Sequence, residues 1–77
     1  MEINMYDVGI RIKERRKQMG LTQMDIQVRT GIQTGAFSYI ERGIRVPSVT
    51  LFYKIATVLE MDMTELLTGN PYQYEKK

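Results

Sequence analysis

The chain predicts an all-α domain built from five short helices, and three observations carry that expectation. No segment alternates apolar and polar residues for long enough to make a half-buried strand. Apolar residues recur instead at three- and four-residue spacing, and glycine, proline and capping residues interrupt them at short intervals. Seventy-seven residues make a single small domain, which buries only about 60–65% of the surface its unfolded chain exposes.

The first helix is expected over residues 8–19. Asp7 caps its start, Val8, Ile12 and Met19 form its stripe, and Gly20 ends it. Thr22 caps a second helix over residues 23–29, with Met24 and Ile26 as candidates to face inward and Gly31 as the stop. A third helix covers residues 34–42. Pro47 keeps Val46 out of helical geometry, and Ser48 caps a fourth helix over residues 49–59, where Phe52, Ile55, Ala56 and Leu59 repeat at helical spacing. Asp62 to Glu65 resembles a capping box and opens a last turn holding Leu66 and Leu67. The domain plan is an N-terminal arm over residues 1–7, a folded body over 8–67 and a loose tail over 68–77, with connections of two to five residues.

Composition removes several functions. With no cysteine, neither a disulfide framework nor a thiolate metal site is available. With no histidine, the commonest metal ligand and the usual general base are missing, so Ser38 and Ser48 have nothing of that kind to activate them. No enzyme activity, metal or cofactor is expected. No apolar run approaches the roughly 20 residues of a membrane span, and the expectation is a soluble cytoplasmic protein without a membrane role.

The net charge of +2 hides an uneven distribution. Residues 11–45 carry eight basic side chains and three acids, a local charge of +5, whereas residues 1–10 sum to −2 and residues 46–77 to −1. Such a segment favours an anionic partner.

The stretch GIQTGAFSYIERG, residues 31–43, shows where that partner would bind. On a wheel of about 100° per residue, Ala36, Phe37 and Ile40 share one side with Gln33 at the entry. Gly35, Ser38, Tyr39 and Arg42 lie opposite, with Thr34 at the edge. That outer side lacks the long acid–base pairs that usually solvate a helix. Two short helices joined by a glycine turn, the second apolar on one side only, describe a helix-turn-helix.

The segment LTQMDIQVRTGIQTGAFSYIERGIRVPS resembles the helix-turn-helix of Xre/Cro-type, lambda-repressor-like regulators. VGIRIKERRKQMG is similar to that family's first helix, and LFYKIATVLEMDMTELL to its fourth and fifth. The resemblance spans roughly residues 8–67 and is most specific in Thr22-Gln23, Gly31, Ile40-Glu41-Arg42-Gly43 and Pro47-Ser48. It implies a domain that sets its third helix in the DNA major groove while the second crosses the backbone. Gln33, Thr34, Ser38 and Tyr39 would then read bases, a glutamine pairing with adenine at roughly 1–3 kcal/mol of discrimination. Thr22, Gln23, Gly35, Arg42, Arg45 and Arg16 would meet the DNA backbone, with Arg11 and Arg15 as weaker candidates. Arg16 and Glu41, each flanking an apolar stripe, are paired by the resemblance as an ion pair between the first and third helices.

Four positions depart from the family pattern. Gln27 stands for a small alanine, Arg15 for an apolar residue, Gln33 for a serine or threonine cap, and Glu60 for a glycine. The expected function is sequence-specific binding of double-stranded DNA by a transcriptional regulator, by simple occupancy a repressor. It would act as a homodimer formed through the fourth and fifth helices and the tail, where Leu66, Leu67, Tyr72 and Tyr74 are available, on a palindromic operator. An anti-repressor protein is a further possible partner. The alternative is a protein-interaction or antitoxin-like module on the same fold.

Overall fold

The computed structural model describes residues 3–70, all five of whose regular elements are helices. The expected tail from residue 71 onward, with Tyr72 and Tyr74, lies outside the described residues.

Helix α1 spans Met5–Gln18 and starts three residues before the expected Val8. Asn4, not Asp7, is its cap: Oδ1 accepts from the amides of Tyr6 at 2.9 Å and Asp7 at 3.3 Å. Asp7 sits in the first turn, where a carboxylate complements the positive helix end. Helix α2 runs Gln23–Thr30, α3 Thr34–Glu41, α4 Val49–Leu59 and α5 Met63–Thr68. Arg42, expected to close the third helix, is its C-cap. Asp62 Oδ1 accepts from the Glu65 amide at 2.8 Å, which is one half of the capping box expected there.

The core gathers Val8 and Ile12 from α1, Ile26 from α2 and Phe37 and Ile40 from α3. Phe52, Ile55, Ala56 and Leu59 join it from α4, Leu66 from α5, and Ile32 from the turn before α3. Burying each large side chain stabilises the fold by roughly 1.5–3 kcal/mol. Met24 does not join them; it is 55% exposed, because it lies about 200° around α2 from Ile26.

Two glycines set α1 against the end of α3. A Cβ on Gly9 would collide with the carbonyl oxygens of Ile40 and Glu41, so the two backbones touch only because that atom is missing. Gly43 has φ +75° and closes α3 in a Schellman motif, its amide bonding Ile40 O at 3.0 Å and the Ile44 amide bonding Tyr39 O at 3.0 Å. There too a side chain would strike the backbone of Tyr6.

The other face of α1 serves the C-terminal helices. Arg11 Nη1 donates to Leu66 O at 2.7 Å, and Arg15 Nε donates to Leu59 O at 2.9 Å. Each guanidinium thus meets carbonyls at the negative end of a helix, α5 and α4 respectively. This explains why an arginine occupies Arg15's place in the apolar stripe, and it turns both of these weaker DNA candidates inward. Helix α4 ends at Glu60, whose φ of 57° and ψ of 42° are left-handed, at the position where the resemblance implies a frequent glycine.

Candidate nucleic-acid interface

Helix α2 begins with a reciprocal cap. Thr22 Oγ1 accepts from the Asp25 amide at 3.0 Å, and Asp25 Oδ2 accepts from the Thr22 amide at 2.7 Å. The Thr22 amide, then its hydroxyl, holds the Asp25 carboxyl below its ordinary range. Sequence reading found the Thr22 cap but not Asp25, a shorter acid in the place usually held by glutamate.

Directly behind this turn lies a buried ion pair. Arg16 Nε approaches Glu41 Oε2 at 2.7 Å and Nη2 approaches Oε1 at 3.1 Å, a two-point contact between α1 and the last residue of α3. Arg16 Nη1 also donates to Leu21 O at 2.9 Å. Arg16 is only 8% exposed and Glu41 5%, so these donors and acceptors face each other with little water between. Three of the N–H donors of Arg16 are thus taken inside the protein, two by Glu41 and one by Leu21 O. Gln23 joins the network, its Nε2 donating to Glu41 Oε1 at 3.0 Å. This fixes the Gln23 amide at the N-terminus of α2, half-buried and tied to α3.

Helix α3 turns Phe37 and Ile40 into the core and leaves a polar face outward. Gln33, Gly35, Tyr39, Arg42 and Arg45 are exposed, and Thr34 and Ser38 half-buried. A Cβ on Gly35 would meet nothing within 4 Å, so no internal packing requires glycine there. The Arg42 guanidinium lies 5.5 Å from the centre of the Tyr39 ring, a cation–π arrangement that orients both side chains on one surface.

Gln33 occupies the N-cap position of α3 in extended conformation, but its side chain makes no capping hydrogen bond. The first amide of α3 is satisfied from elsewhere: Thr34 N–H donates to Gln27 Oε1 at 2.9 Å. In the sequence Gln27 is distinguished only as a bulky residue where a small alanine would let α2 and α3 approach. Lys54 lines a surface groove beside the start of α3 together with Gln33, Ala36, Arg45 and Leu51. It is a lone cation on α4, outside the basic segment of residues 11–45.

The chain matches the family described as helix-turn-helix over residues 12–66. It belongs to that family. This helix-turn-helix protein is 34% identical over 70 residues to the HTH-type transcriptional regulator SlrR of Bacillus subtilis. The match takes in 90% of this chain and 46% of SlrR, so the chain spans about half the length of that relative. The P22 c2 repressor, solved in complex with a synthetic operator, is similar with a TM-score of 0.78 and 27% identity over 82% of this chain and 96% of that one. The restriction-modification controller protein C.AhdI from Aeromonas hydrophila is similar with a TM-score of 0.75 and 31% identity, over 80% and 94% of the two chains. The resemblance to Xre/Cro-type regulators read from residues 8–67 is thus matched by the fold. Among the described residues no helix is long and apolar enough to cross a membrane.

Proposed function

We propose that this helix-turn-helix protein is a sequence-specific, double-stranded-DNA-binding transcriptional regulator that lays α3 in the major groove. The observation that supports it best is the outer face of α3. It carries an amide, two hydroxyls and a phenol with no place in the core, and Arg42 and Arg45 stand at its end. A major groove about 12 Å wide admits one such helix and shows each base pair a distinct donor and acceptor pattern. Gln33, Thr34, Ser38 and Tyr39 read base edges in this proposal. Thr22, Gln23, Arg42 and Arg45 hold the phosphates, and Gly35 brings the helix backbone close to the groove. Arg16 acts through Glu41 and Gln23 rather than on DNA.

A domain this small reads few base pairs, so a symmetric dimer on a palindrome is the working form. An apolar groove lined by Ile3, Val46, Val49, Phe52, Met63 and Leu67 supports pairing there; Val46 is 68% and Val49 77% exposed. Repression by occupancy in the cytoplasm needs no catalytic step and no cofactor.

Selection of bound duplexes from a random pool, with affinities at two ionic strengths, tests this. The expected outcome is a palindromic consensus whose affinity falls steeply with added salt. Gln33→Ala is then expected to relax one base position in each half-site by about 1–3 kcal/mol. Absence of enrichment would overturn the DNA reading and turn attention to a protein partner for the same face.

A further inference from the structure

The geometry points to Gln27 as a positioning residue for DNA readout, an acceptor supplied by α2 that anchors the first amide of α3. This deepens the DNA reading of α3 and rests on it.

The first amides of a helix need acceptors, and the residue just before the helix usually turns its own side chain back to provide one. Gln33 holds that position here and does not do so. Its side chain stays exposed, at the edge of the face proposed to meet the groove. The amide of Thr34, the first in the helix, is held from seven residues upstream, by Gln27 Oε1 at 2.9 Å. Gln27 is half-buried between the two helices of the motif, and its hydrogen bond ties the body of α2 to the first residue of α3. A capping side chain at position 33 would reach the amides of Gly35 or Ala36, so Gln27 anchors a different group, the first helical amide, which ordinary capping leaves open. Because Thr34 is itself a proposed reader, the bond also sets the height and direction at which α3 enters the groove.

The test compares three chains on the selected operator and on a copy altered at the bases assigned to Gln33 and Thr34. Gln27→Met keeps the length and apolar contacts but removes the acceptor. Gln27→Glu keeps an acceptor of the same reach. The expected result is that Gln27→Met lowers the ratio of operator to altered-operator affinity about tenfold, or about 1.4 kcal/mol. Gln27→Glu should weaken both duplexes alike, through its added charge, while keeping the wild-type ratio. Amide hydrogen exchange at Thr34, measured without DNA, should speed up in Gln27→Met and not in Gln27→Glu. A wild-type ratio in Gln27→Met overturns the positioning role, and unchanged Thr34 exchange overturns the cap itself. If the wild-type chain selects no duplex, the DNA reading and the readout role fail together, while the exchange data still decide the cap.

Discussion

Glu41 takes hydrogen bonds from Arg16 and Gln23 at a depth where an unpaired charge is costly. Replacing it by alanine leaves the Arg16 guanidinium buried with Leu21 O as its remaining partner. The expected loss is about 3–5 kcal/mol in denaturant unfolding of Glu41→Ala, comparable with the whole net stability of a domain this size. Glu41→Gln, which keeps the shape and one acceptor, should fall between. The helical wheel marks Arg16 and Glu41 each as flanking an apolar stripe, and the family resemblance is what pairs the two. Gln27 has no such signal. Its value lies in an acceptor delivered across a turn to another helix, and no local spacing marks such a cap. Arg11 and Arg15 were hidden for the same reason, because their partners are main-chain carbonyls of distant helix ends.

At the scale of elements, interiors were more legible than ends. Phe52, Ile55, Ala56 and Leu59 repeat on one side of α4, and all four are buried. The start of α1 was placed late because Asn4 and Asp7 are both good caps, and only packing of Met5 against the core favours the earlier one. In α2 an eight-residue wheel holds too few points to decide which apolar residue turns inward, and Ile26 took the place over Met24. The junction of α4 and α5 carries a measurable cost. Glu60 is the one non-glycine residue with positive φ among the described residues, and the left-handed conformation disfavours a side chain by roughly 1–2 kcal/mol. Glu60→Gly should therefore raise stability by about 0.5–1 kcal/mol, after the added freedom of glycine in the unfolded chain is subtracted. Thermal unfolding checks the sign.

For the whole molecule, the fold class, the number of helices and the side of α3 facing outward were readable from periodicity, glycine placement and family resemblance. The distribution of usable charge was less so. Of the eight cations in residues 11–45, Arg11, Arg15 and Arg16 bind inside the protein, and the outward positive surface rests on fewer groups. The groove around Val46 and Val49, on the side made by α4 and α5, is the pairing surface proposed above. Val49→Lys places a charge in the middle of that groove without disturbing a core position. Sedimentation should then show a monomer with unchanged helical content, and affinity for a full palindrome should fall toward that of a single half-site.

Helix α3 is held at each end by its neighbours. Gly9 and Gly43 let α1 rest on its C-terminal end, and Gln27 secures its first turn. A reading helix fixed at both ends has nothing left to fold when it docks on a duplex. The heat-capacity change of association should then reflect the contact area alone, without the larger drop that accompanies ordering of a segment on its target.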